Sequence, residues 1–279
     1  MVSVSTIHSN IDDHYGGVDV CARIFEALEN AGRDLEALTA EDLTPFDQFH
    51  GGGIASTRDL AAFSGIRDGL TVVDVGCGIG GPARTLAAEF GCRVIGVDLT
   101  REFVRAARVL TEKLAMTAYC EFHHGSATAL PLDDACAEAA WSQNMMMNVE
   151  DKAAFFSEVV RILKPGGLFA FEAVLAGDGR PIHLPTFWAS RPEINFLVSL
   201  DEVRKLLDDA GLERVAFEET THQVIATSRK RNAVIKAHNP TQLTIKVIVS
   251  DDVETKMQNA LSNNEEGRTI TVKGVYAKR

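Results

Sequence analysis

The residues best placed for chemistry are four glycines, Gly76, Gly78, Gly80 and Gly81, in the segment DVGCGIGGPA after a β-branched run at residues 71–75. A strand, a glycine turn and a helix start bring backbone N–H groups close to a nucleotide-like ligand. Glycine suits the turn because a Cβ would block that approach and because some positions need φ > 0. Asp98 closes the next apolar run, about twenty residues on, where a carboxylate can accept from both hydroxyls of a ribose. GSATALP, at residues 125–131, follows a third apolar run, where a base edge can be read. The glycine pattern is DxGxGxGG rather than GxGxxG, with Asp74 inside the strand. An acid there suits a cationic ligand better than an anionic pyrophosphate.

Candidate acid–base groups lie elsewhere. His50 stands with Gln48 in DQFHGGG, His183 in a proline-broken segment at residues 177–193, and His222 beyond the sixth apolar run. Each can act as a general base or a donor, or simply pack or cap a helix. Trp188 and Arg191 share the proline-broken segment, where they can face a cationic amine and pair a carboxylate. Met145, Met146 and Met147 follow the fourth run, flanked by Asn144 and Asn148. Methionine serves a pocket wall or a plain core equally well, and the asparagines suit a turn or a polar substrate. There is no HExxH, GxSxG or carboxylate-rich spacing, so neither a metal nor an acyl-enzyme is indicated.

Holding these groups together requires strands alternating with helices. Strands are expected at residues 71–75, 92–97, 119–123, 137–142 and 168–174. Helices are expected at 80–90, at 100–114 behind a Thr100 cap, and at 152–163, stopped by KPGG at 164–167. Upstream, helices at 18–31 and 54–64 flank a connection at 39–49 with a turn at Pro45. Downstream come a helix at 200–210, a strand at 214–220, a helical insertion from residue 229, a helix at 252–263 and a terminal strand at 268–278 with alternating pattern. Such alternation demands a parallel sheet covered on both faces.

Composition narrows the partners. The 279 residues suit one α/β domain with additions, and 46% apolar with 24% charged residues is the balance of a soluble globular protein. A net charge of −11 repels nucleic-acid phosphate and anionic lipid, which leaves a small-molecule substrate, no nucleic acid and no membrane. The basic run SRKRNAVIK at residues 228–236 reads as a solvated helix start. Cys21, Cys77, Cys92, Cys120 and Cys136 are odd in number and form no CxxC pair, as expected of reduced thiols in the cytoplasm. The first ten residues carry no basic and apolar leader pattern, which agrees with a cytoplasmic protein.

On these residues the chain resembles the class I S-adenosylmethionine-dependent methyltransferases, in particular the branch of sarcosine/dimethylglycine-type small-molecule enzymes. The matching pieces are DQFHGGG, VVDVGCGIGGPAR, VIGVDLT, WSQNMMMNV and LKPGGLFAFEAV, spread over residues 45–175. The resemblance implies a Rossmann-like, doubly wound α/β fold with a seven-stranded sheet, mostly parallel, whose last strand is antiparallel. It implies an N-terminal helical lid over residues 1–65 and a core over 66–279, with substrate-side insertions at 177–199 and 222–262, the second preceding the last strand. S-adenosyl-L-methionine would be the cofactor and S-adenosyl-L-homocysteine its product. Gly76, Cys77, Gly78 and Gln143 would then approach the methionine portion, Asp98 the ribose and Leu99 the adenine ring. Ser126 and Ala127 would lie near the adenine amine, and Tyr15 and Gln48 would close over the cofactor from the lid. Ser126 stands where many relatives carry an acid, which shifts base recognition there onto backbone groups.

Methyl transfer from a sulfonium releases a neutral leaving group. Its main demand is a lone pair held in line with the methyl in a dry cavity. An amine or thiolate needs only to be unprotonated, whereas a phenol or carbon acid needs a general base. N-methylation of an amine or amino acid is the leading expectation, ahead of C- or O-methylation of a quinone-like, phenolic or polyketide-like compound. The resemblance favours nitrogen, and the methionine-rich strand end favours an apolar acceptor. An NAD-dependent oxidoreductase fits the glycine spacing and Asp74 less well, and a catalytically silent cofactor-binding protein requires a blocked pocket. A homodimer is the default assembly for such enzymes.

Overall fold

The computed structural model describes residues 19–237, 243–249 and 252–279. Three helices come first: α1 (Val20–Asn30), α2 (Ala40–Asp47) and α3 (Ile54–Ser64). Alternation follows in β1 (Thr71–Val75), α4 (Gly81–Phe90), β2 (Arg93–Asp98), α5 (Arg101–Lys113), β3 (Cys120–His124), β4 (Ala137–Gln143), α6 (Lys152–Ile162) and β5 (Leu163–Ala176). The rest comprises α7 (Leu200–Asp209), β6 (Leu212–Glu219), α8 (Thr221–Ala237), α9 (Val253–Glu265) and β7 (Thr269–Lys278). All seven strands join one sheet in the order β3-β2-β1-β4-β5-β7-β6. Pairs among β1 to β5 are parallel, and β7 runs antiparallel to both β5 and β6. The architecture is the Rossmann-like doubly wound sheet with an antiparallel last strand.

Period-two alternation within the strands feeds two apolar layers. Val73, Val75, Phe169 and Phe171 pack with Phe155 and Phe156 of α6 and Val203 and Leu207 of α7. Val72, Val94, Trp141 and Ala170 face the opposite way, onto Leu60 of α3 and Leu86 of α4. Each large side chain so buried contributes about 1.5–3 kcal/mol. A third layer joins α1 and α2 to α5 and to residues 243–249 through Ile24, Leu43, Phe46, Phe103 and Leu243.

Local expectations differ from what forms at five points. Residues 40–47 are helix rather than connection, because Thr39 N–H donates to Asp42 Oδ2 at 2.9 Å and closes the first turn. Pro45 removes only one N–H, near the helix end, and Thr44 Oγ1 donates to Ala40 O at 2.9 Å in the same turn. Thr100 stands at the N-cap of α5 without a side-chain cap bond; its backbone N–H donates instead to Asp98 Oδ1 at 2.8 Å. KPGG does not separate α6 from β5: Leu163 already pairs with Ala137, and the register slips so that Leu168 pairs with Ala139. The bulge takes up Lys164–Gly167, with Gly166 at φ +73°. The helix after β6 begins at Thr221 rather than near residue 229. β7 is buried along most of its length because it lies between β5 and β6, so its alternation does not mark a solvent face.

The strand order reverses between β1 and β4, whose other neighbours are β2 and β5. In open α/β sheets ligands bind outside the carboxyl ends of the strands at such a point. Among the described residues no helix is long and apolar enough to cross a membrane.

Candidate active site

A cavity of about 770 Å³ opens at that reversal, a volume usual for a small-molecule site. Its first half is the glycine loop. Gly76 (φ +81°) and Cys77 both donate to Val97 O, at 2.8 and 3.2 Å, which staples the loop to β2. A Cβ on Gly76 would lie 2.3 Å from Met145 Cγ, so only glycine passes there. A Cβ on Gly78 (φ +54°) would meet nothing within 4 Å, so the loop is open at that point.

Asp98 holds the loop from below. Its Oδ2 accepts from Gly78 N–H and its Oδ1 from Thr100 N–H, each at 2.8 Å. The Thr100 side chain is a third donor to this carboxylate, whose four lone pairs still leave room for a ligand hydroxyl. Burial raises the Asp98 pKa, while the two backbone donors lower it. Asp74 lies 1% exposed in the cavity wall, and its Oδ2 has no hydrogen-bond partner among the described residues. Burial, helped by the charge of Asp98, pushes its pKa up to about 8. A buried carboxyl without a partner is costly, and a ligand cation would supply what it lacks. The glycine loop, the free lone pairs of Asp98 and the orphaned oxygen of Asp74 therefore fit a nucleoside that carries positive charge.

The second half is a polar network on β4, β5 and the residues around α3. Thr57 Oγ1 lies 2.9 Å from Gln48 Oε1, 3.0 Å from His50 Nε2 and 3.1 Å from Gln143 Oε1. Gln143 Nε2 donates to Glu172 Oε2 at 3.2 Å, Asn144 Nδ2 donates to Glu172 Oε1 at 3.4 Å, and Ser56 Oγ donates to Glu172. Asn144 sits at φ +51°, a conformation asparagine tolerates better than most residues. His50 Nδ1 is 3.3 Å from the Gly51 carbonyl, which can only accept. His50 Nε2 faces the Thr57 hydroxyl at 3.0 Å and Gln48 Oε1, a second acceptor, at 3.3 Å. Burial lowers the His50 pKa against the opposing pull of Glu172, which favours the neutral ring.

A buried ion pair ties the two halves together. Arg84, from the glycine segment, binds Asp47 Oδ2 at 3.0 Å, with the two side chains 3% and 6% exposed. Its Nη1 also donates to Ile79 O at 2.9 Å and to Thr111 Oγ1 at 3.2 Å.

The structure sorts the residues proposed from sequence. Gln48, His50, Gly76, Cys77, Gly78, Asp98, Leu99, Ser126, Ala127 and Gln143 all line the cavity. Tyr15 lies outside the described residues. His183 and His222 are not part of the lining. His183 Nε2 contacts Glu266 Oε1 at 3.0 Å, and its backbone is clasped by Asn263, whose side chain accepts from His183 N–H at 2.7 Å and donates to His183 O at 3.1 Å. His222 is exposed on the first turn of α8. Trp188 is buried, lines the cavity and donates to Asn195 Oδ1 at 2.8 Å, whereas Arg191 stays at the surface. Met145 and Met147 line the cavity, and Met146 packs in the core. Sequence reasoning passed over Glu172, Ser56, Thr57 and the Asp47–Arg84 pair. Only Glu172 carried a usable signal, an acid alone in the apolar run LFAFEAV. Among the described residues no group of three or more His, Cys, Asp or Glu is arranged to hold a metal ion.

Comparisons with known proteins agree with this geometry. Residues 73–171 match the family of methyltransferase domains. Among curated relatives, a sarcosine/dimethylglycine N-methyltransferase of Halorhodospira halochloris is 28% identical over 153 residues, 55% of this chain and 55% of that protein. A botryococcene C-methyltransferase of Botryococcus braunii is 31% identical over 126 residues, 45% of this chain and 33% of that protein. The chain thus spans between a third and just over half the length of these two relatives. The structure of Haemonchus contortus phosphoethanolamine N-methyltransferase 2, a complex with phosphomonomethylethanolamine and S-adenosylhomocysteine, superposes with a TM-score of 0.72 at 19% identity. That match covers 91% of this chain and 56% of the other, and it shows a shared fold. Residues 73–171 of this chain are thus similar to methyltransferase domains, and the sheet that carries them has the fold of the Haemonchus contortus enzyme.

Proposed function

We propose that the protein is an S-adenosyl-L-methionine-dependent methyltransferase that methylates the nitrogen of a small amine or amino acid. The observation that carries the acceptor is Glu172, a carboxylate 6% exposed in the cavity wall beside Gln143. Placing a carboxylate in such a wall is costly unless donors or a cation answer it. Ser56, Gln143 and Asn144 answer from the protein side, and an ammonium answers from the cavity side. Phe187 and Trp188 line the same cavity, and an aromatic face adds attraction for a cationic amine.

S-adenosyl-L-methionine, when bound, supplies an electrophilic methyl group. The chain's own residues bind, orient and exclude water. Gly78 and Asp98 suit the ribose, Leu99, Ser126 and Ala127 the base, and Asp74 and Gln143 the cationic amino-acid end. The acceptor amine must shed a proton before its lone pair can react. A Glu172 carboxylate oxygen is the group placed to take it. Both His50 nitrogens face protein partners, so His50 acts as a positioning residue that sets Thr57 and, through it, Gln143. Residues 1–65 would then serve as a lid, since Gln48 and His50 reach the cavity from there. The insertions at 177–199 and 222–262 would furnish the acceptor side through Phe187, Trp188 and one face of α8.

A labelled-methyl screen across amines, amino acids, phenols, quinones and alkenes tests the reading. Label is expected on amine nitrogen. Label on phenol, quinone or alkene alone would overturn it in favour of O- or C-methylation, the reading favoured by the apolar lining of Met145, Met147, Leu243 and Met257. Calorimetry tests the cofactor: tight binding of NAD with none of S-adenosyl-L-homocysteine would sink the assignment.

A further inference from the structure

We infer that Arg231 forms an anion-binding subsite on the acceptor side of the cavity, and that the amine substrate therefore carries a carboxylate or phosphate group. The inference rests on the amine reading above and narrows it to zwitterionic acceptors.

Val224, Thr227, Ser228 and Arg231 line the cavity from α8. Their spacing, i, i+3, i+4 and i+7, is one face of a helix, so a single stripe of α8 is turned inward. The stripe ends in a guanidinium flanked by two hydroxyls. Arg231 is the only arginine or lysine among the described residues of the lining, which also includes Asp74, Asp98, Glu150, Asp151 and Glu172. None of these acids pairs with it, and among the described residues it has no ion pair or hydrogen bond. Three other arginines are answered: Arg84 by Asp47, Arg161 by Glu158, and Arg229, two residues away on α8, by Glu265 at 2.7 Å. Arg231 is exposed, and surrounding protein nonetheless desolvates its guanidinium enough to lower its pKa from the usual arginine value.

A guanidinium in a cavity wall, with no protein partner among the described residues, is left to take a ligand. Its planar fork matches a carboxylate or phosphate with two parallel N–H···O bonds. The same cavity holds the Glu172 carboxylate on β5, so it offers separate charges of both signs. A ligand that uses both is an amine tethered to an anion.

The test is calorimetry on the full chain loaded with S-adenosyl-L-homocysteine. Three probe series are compared at matched length: n-alkylamines, ω-amino carboxylates and ω-aminoalkyl phosphates. Anionic members are expected to bind about ten-fold or more tightly than the alkylamine of equal length. That preference should vanish in Arg231→Gln, persist in part in Arg231→Lys, and survive in Arg229→Gln, which removes the same charge from the outer face. Which anionic series gains more decides between carboxylate and phosphate. Equal binding of all three series by the unaltered protein, or a preference that survives Arg231→Gln, overturns the subsite. Failure to load with S-adenosyl-L-homocysteine overturns the cofactor reading instead, and the subsite falls with it.

Discussion

Asp98 does two jobs with four lone pairs. Two hold the N–H groups of Gly78 and Thr100, and under the proposed function the remaining capacity serves a ribose. Asp98→Ala should weaken S-adenosyl-L-homocysteine binding by about 1–3 kcal/mol in calorimetry, and unchanged affinity would show that the carboxylate serves the loop alone. Asp74 makes a different prediction, in pH. Its pKa in the folded chain is about 8 against an ordinary 3.8, so the folded chain keeps a proton that the unfolded chain releases. Its contribution to stability is therefore complete below about pH 4 and is lost as pH rises towards 8. Unfolding measured from pH 5 to pH 9 should show a steeper decline in the wild-type chain than in Asp74→Asn. Parallel curves would mean that Asp74 is ionised throughout. Neither behaviour was legible in the sequence, which placed Asp74 in a strand without revealing that its Oδ2 lacks a partner.

At the scale of elements, the joint between α2 and α4 matters most. The Arg84–Asp47 pair crosses it, and a Cβ on Gly81 would lie 2.1 Å from the Asp47 carbonyl oxygen. Asp47→Ala leaves a buried guanidinium unpaired and should cost about 3–5 kcal/mol in denaturant unfolding. A loss below about 1 kcal/mol would show that the pair is no more than a surface-grade contact. Elements of this joint were unevenly legible. α3 and β1 begin and end where their patterns do, because glycines bound α3 and a β-branched run fills β1. α2 was hidden by Pro45, whose cost depends on position in the helix rather than on presence. The start of α8 was hidden because its inward stripe is mostly polar, and apolar periodicity cannot report a helix face turned to a wet cavity. The cofactor loop was readable because its constraint is local backbone geometry. Glu172, Ser56 and Thr57 meet only through tertiary pairing of β4, β5 and α3, which spacing along the chain does not encode.

Across the whole molecule, the cavity has one wall of strand ends and one of insertions. The insertions are locked to each other: Asn263 of α9 clasps the His183 backbone, and Asn259 donates to Pro185 O at 2.9 Å. Asn263 is fully buried, so Asn263→Ala should cost about 1–3 kcal/mol of stability. Acceptor KM should rise while S-adenosyl-L-homocysteine affinity holds, because the glycine loop is built on the other wall. Equal losses of both affinities would show that the walls are mechanically one. The position of β7 has a further consequence, in the order of synthesis. β6 and α8 leave the ribosome before β7, yet β6 reaches the sheet only through β7. Until β7 emerges, β5 presents the edge of Leu168–Ala176, apolar except for Glu172, with unpaired backbone groups along one side. A nascent chain paused in that interval would offer its neighbours a template for strand addition, so the insertion between β6 and β7 sets how long the unfinished sheet stays sticky.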